Sequence, residues 1–141
     1  MQKTVFLALL ALPFVPLCLP GCQPKEEKTS SAENELDAAR LFIRSALDGK
    51  FDEAKTYMVQ DSVNKSYLDI AAQFYQKLPV TEKDNYKSST IVIHSSTNLN
   101  DSVAVVIYSN SYKNDHDTLR IAKSNGAWLV DLKYLYEHDQ P

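Results

Sequence analysis

The chain holds 141 residues, 44% hydrophobic and 23% charged, with 15 basic against 18 acidic side chains and a formal charge of −3. That balance, with Lys and Arg scattered singly, argues against nucleic acid as a partner, because phosphate binding rests on clustered cations. Three glycines leave little for a backbone phosphate cradle, and the length suits one domain with one core.

In chain order, MQKTVFLALLALPFVPLCLPGC comes first: Lys3 is a short positive start, Val5 to Leu19 are uncharged and largely apolar, and the small Gly21 precedes Cys22. That order is a secretory signal. A spanning helix needs about 20 apolar residues, and this run is shorter and interrupted by Pro13 and Pro16, which argues against a permanent transmembrane segment.

Leu19-Pro20-Gly21-Cys22 resembles the lipobox of bacterial lipoproteins, in which signal peptidase II cuts before a cysteine carrying diacylglycerol; Pro20 departs from the favoured types. Cys18 follows bulky Leu17 and fits less well. The other readings are an ordinary cleaved signal or a buried apolar strand that holds two cysteines. The resemblance implies a signal peptide over 1–21 and a lipidated Cys22, leaving a mature chain of 120 residues with 14 basic and 18 acidic groups, a charge of −4. No free thiol, disulfide or cysteine metal site then survives. Each buried methylene contributes about 0.8 kcal/mol, and two acyl chains anchor stably where one does not, so the implied first partner is the membrane.

QPKEEKTSSAENE, residues 23–35, is polar and has too few hydrophobic groups to offset ordering entropy; residues 22–32 are expected to be the lipidated cysteine and a flexible tether, and 33–138 the folded domain. Gln23, rather than Asp, after the cysteine favours the outer membrane by analogy with enterobacterial sorting. Lys25-Glu26-Glu27 resembles acidic surface-export signals, so the expected location is the bacterial envelope, periplasmic or surface facing.

Ser30 and Glu33 have capping-box spacing, and Leu36, Ala39, Ile43 and Leu47 then fall on one helical face, widened by Phe42 and Ala46. Gly49 predicts the helix end, and Asp52 a cap for a short second helix through Met58. Val63, Tyr67, Ile70, Phe74 and Leu78 predict the apolar face of a third helix stopped by Pro79, and residues 80–88 a polar connection. From Ser89 the period becomes alternating, and STIVIHSST, SVAVVIYSNSY, DTLRIAKS and AWLVDLKYLY are four strand candidates.

Asn125-Gly126 predicts a tight hairpin turn pairing Ser124 with Ala127, Lys123 with Trp128, Ile121 with Val130 and Leu119 with Leu132. Trp128, Val130, Leu132, Tyr134 and Tyr136 then share one face, with Asp131 and Lys133 on the other. The expected fold class is α+β: three N-terminal helices packed on a curved four-stranded antiparallel sheet.

SALDGKFDEA, the long third helix and NGAWLVDL together resemble the nuclear transport factor 2-like superfamily, particularly its small lipoproteins of lumazine-binding-like type, over roughly residues 33–136. The resemblance implies a cone with a pocket between the long helix and the concave sheet. Candidate pocket residues are Tyr67, Phe74, Tyr108, Trp128 and Tyr134, although the ordinary reading of each is a side chain that fills a small domain's core. Enzymes of this fold use a pocket carboxylate, but Asp69 and Asp131 read as solvated surface acids. His94 reads as an isolated strand residue, while Asp115, His116, Asp117 and His138 could gather at one end of the sheet as a weak metal cluster, short of any zinc spacing. No Gly-x-Ser-x-Gly elbow is present. The sequence therefore points to a non-catalytic binding or accessory domain, without a cofactor, for a small apolar ligand or an envelope protein. A weakly marked isomerase-like or hydrolase-like enzyme with an unidentified pocket acid is the alternative. A homodimer through the open sheet face would use Leu129 and Leu135.

Overall fold

The computed structural model describes residues 31–134. The lipobox, Ser30, Leu135, Tyr136 and His138 lie outside the described residues. Four helices precede four strands: α1 (Glu35–Leu47), α2 (Phe51–Thr56), α3 (Ser62–Lys77), α4 (Val80–Ser88), β1 (Ile91–Asn100), β2 (Val103–Asn110), β3 (Asp117–Ser124) and β4 (Ala127–Asp131). The sheet is antiparallel throughout, in the order β1-β2-β3-β4. The α+β class follows directly.

α1 begins at Asn34, whose side chain accepts from the Asp37 amide at 2.9 Å, while Asp37 accepts back from the Glu33 amide. The reciprocal cap therefore lies one turn beyond the Ser30–Glu33 box that spacing suggested. The helix closes as a Schellman turn: Gly49 N–H donates to Ala46 and Lys50 N–H to Ser45, with Gly49 at φ +75°. Asp52 does not cap α2; it sits in the first turn, where its charge still complements the helix dipole.

Ala38, Ala39, Phe42 and Ile43 of α1 press onto Val106, Leu119, Ile121 and Val130 of the sheet, with Met58 fully enclosed between the layers. Each large aliphatic or aromatic side chain in that layer contributes about 1.5–3 kcal/mol. Residues 57–59 then run beside β4: Val59 N–H donates to Val130 O, and Val130 N–H to Tyr57 O, which covers part of that sheet edge.

Two expectations fail here. Residues 80–88 are a helix, not a connection. They carry no buried residue and no apolar stripe, so periodicity could not mark them. Pro79 ends α3 and starts α4, since its carbonyl accepts from Glu82 and Lys83. Arg44 of α1 finishes the helix by donating to Tyr86 O, Lys87 O and Ser89 O, carbonyls at its end. In α3 the stripe read as buried is largely exposed: Val63 is 44%, Ile70 57% and Phe74 64% accessible, whereas Asn64 and Leu68 are buried.

The 125–126 turn has Asn125 at φ +50° and Gly126 at φ +84°, and the ladder pairs Ser124 with Ala127, Lys123 with Trp128 and Ile121 with Val130. β4 stops at Asp131, before a Leu119–Leu132 pair can form, and residues 133 and 134 are helical. Register shifts between Ile93 and Ser95 and between Asn98 and Asn100 bend β1.

Candidate functional site

A hollow of about 320 Å³ opens between the helices and the start of β3. Its floor is the Phe42, Ile43, Ala46 and Leu47 side of α1. Phe51, Phe74, Tyr75 and Tyr86 bring rings from three other helices, and Tyr108 and Asn110 close it from β2. Lys113, Asp115 and Asp117 stand at its mouth.

The aromatic wall is built by contact between elements distant in sequence. Phe51 meets Tyr75 edge-on at 5.6 Å, Tyr75 lies 6.4 Å from Tyr86, and Tyr86 meets Tyr112 edge-on at 5.1 Å. Tyr75 donates its hydroxyl to Leu47 O at 3.3 Å. The turn after α1 must be bare for this to happen, because a Cβ at Gly49 would stand 2.5 Å from Tyr75 Cε1. Burial raises the Tyr75 and Tyr86 hydroxyls above the ordinary phenol value. Tyr108 is pushed higher still, by desolvation first and then by Asp117, its partner across the β2–β3 ladder. All three stay neutral at physiological pH. Asp117 is itself raised, by desolvation and then by Asp115.

Of the five residues expected in a pocket, Phe74 and Tyr108 line the hollow. Tyr67 packs half-buried against the core instead. Trp128, in β4, pairs with the far end of β3 and lies beneath the Lys123 ammonium at 5.4 Å, and six residues of strand, about 20 Å, separate the ladder positions of Trp128 and Tyr108. Tyr134 lies in a separate polar cleft with Arg120, Asp131 and Lys133. Sequence reading missed Phe51, Tyr75 and Tyr86, whose convergence depends on α4.

Asp131 is not a solvated surface acid. It is 6% exposed and receives Arg120 Nη1 at 2.7 Å and Asn64 Nδ2 at 3.2 Å. Asn64 also donates to Asp61 at 2.9 Å and accepts from Leu132 N–H at 2.7 Å, so it ties the start of α3 to the end of β4. Lys133 Nζ completes the group on Asp61 at 2.6 Å. These bonds hold the Asp61 carboxyl far below the usual range and raise Lys133. Asp69 is exposed and pairs with Lys65 one helical turn away.

His94 is not isolated: its ring stacks on His116 at 3.9 Å and its Nε2 bonds Ser109 Oγ at 2.8 Å. Among the described residues no three His, Cys, Asp or Glu side chains converge to hold a metal ion. Leu129 is half-buried on the sheet face away from the helices.

No family model and no curated protein matches the chain. Among solved structures it is similar to an NTF-2-like protein of unknown function from Shewanella oneidensis MR-1, with 13% identity, a TM-score of 0.49, and coverage of 67% of this chain and 89% of that one. At that score the likeness carries no argument, and the α+β assignment stands on this chain's own helices and ladders.

Proposed function

We propose that this chain is a lipid-anchored envelope protein whose nuclear transport factor 2-like domain binds a small, mainly apolar ligand without transforming it. The supporting observation is the open aromatic hollow of about 320 Å³, at the small end of the roughly 300–1,000 Å³ typical of ligand pockets. An apolar body would lie on Phe42, Leu47 and Phe51, and the neutral phenols of Tyr75, Tyr86 and Tyr108 would orient its polar atoms. The Leu-Pro-Gly-Cys sequence supports anchoring at Cys22, and Gln23 after it supports the outer membrane. Acid-base chemistry would fall to Asp117, but that residue is exposed at the mouth and no hydrogen-bonded relay reaches its carboxylate among the described residues, which favours binding over catalysis.

Titration with the neutral fluorescent probe N-phenyl-1-naphthylamine tests the reading. Ala71 is exposed yet lines the hollow, so Ala71→Trp fills it from the surface without replacing a buried side chain. The natural chain should bind the probe and the variant should not; equal binding by both, or by neither, contradicts the reading. A protein partner is the second reading, supported by the exposed stripe of Val63 and Ile70, which lies outside the hollow. Under it, Val63→Ser with Ile70→Ser would abolish function while leaving probe binding intact.

A further inference from the structure

The hollow's mouth carries an imbalance of charge that the apolar reading leaves unexplained. Asp115 and Asp117 face the same opening, and no cation among the described residues pairs with either. Lys113 lines the same mouth, but its ammonium is shared with a third acid: it lies 4.0 Å from Glu82 and 4.8 Å over the Tyr112 ring, so the acids still outnumber the cation. Tyr86 and Tyr108 line the same hollow as the two carboxylates, and Tyr108 is paired with Asp117 across the β2–β3 ladder. Aromatic rings with nearby carboxylates form a setting in which an organic cation is stabilised both by the ring quadrupoles and by direct charge. A metal ion fits less well, because a third ligating side chain is absent among the described residues and the rest of the lining is mainly apolar.

Resting on the binding function proposed above, we infer that the hollow takes a small organic cation, an amine or quaternary ammonium with an apolar body, whose charge lies between Asp115 and Asp117 while its body enters the aromatic interior. Three ligands of similar size test this by calorimetric titration of the full chain in micelles of the uncharged detergent dodecyl maltoside, with empty micelles as blank: benzyltrimethylammonium, neutral N,N-dimethylbenzamide and benzenesulfonate. The cation should bind about tenfold more tightly than the amide, and the sulfonate most weakly. Asp115→Asn with Asp117→Asn replaces two exposed, unpaired carboxylates by near-isosteres and should bring the cation to within about twofold of the amide. A cation that binds no better than the amide, or a preference that survives the double substitution, overturns the inference and leaves the apolar site standing. Failure of all three ligands overturns both.

Discussion

Replacing Asn64 by Ala should cost far more than its single amide suggests. Asn64 is fully buried, donates to Asp61 and Asp131, and accepts the Leu132 N–H. Truncation leaves the Leu132 amide enclosed without an acceptor, at about 1–3 kcal/mol, and removes a donor from the buried Asp131 carboxylate, at about 1.5–3 kcal/mol. A total near 3 kcal/mol or more lowers Tm by about 12–24 °C in a domain of this size. Thermal and urea unfolding followed by circular dichroism would measure it, with Asn100→Ala as the control. Asn100 is exposed and caps only the Ser102 amide in a turn, so its loss should cost under about 1 kcal/mol. Equal losses for the two variants would refute the role given to Asn64. Because the same helix carries Phe74 and Tyr75, Asn64→Ala should also weaken probe binding in the hollow.

Gly49→Ala should destabilise more than Gly126→Ala. Both add a side chain at positive φ, at about 1–2 kcal/mol, but only at position 49 does the new Cβ strike a ring, that of Tyr75; equal denaturation midpoints would contradict this. The Asp61–Lys133 pair sets a pH window. The depressed Asp61 contributes stability above the unfolded carboxylate value of about 3.9 and loses it as pH falls, while the raised Lys133 contributes below about 10.4 and loses it as pH rises further. Lys133→Met should therefore lower stability between those limits and flatten the acid limb of the profile, as read from urea midpoints across pH. Cys22→Ser should abolish incorporation of labelled palmitate into the chain, with the folded domain's unfolding midpoint unchanged; equal labelling of the variant and the natural chain would contradict lipid anchoring at Cys22.

The β3–β4 hairpin was legible because two local signals agree there, a turn that needs positive φ and an alternating pattern on each side. α1 was legible for the same reason, its apolar period ending on Gly49. α4 was not, because nothing in VTEKDNYKS repeats toward a core; Arg44, more than 40 residues earlier, receives its end. α3 was found but turned about its axis: the polar Asn64 is buried because Asp61, Asp131 and Leu132 satisfy it, and Val63, Ile70 and Phe74 are exposed in consequence. That rotation also explains the partial success with the pocket. Aromatic residues on the helix-facing side of the sheet were identifiable, yet which end of the strands was hollow depended on Tyr75 and Tyr86 meeting across Pro79.

The hollow is proposed to hold a small molecule in the cell. The most direct test of this is mass spectrometry of solvent extracts from the full chain purified from its native host, beside Ala71→Trp prepared in the same way. The account predicts one small molecule enriched with the natural chain, approaching one per chain, and absent from the variant. Identical extracts from both, with no such molecule retained, would contradict it.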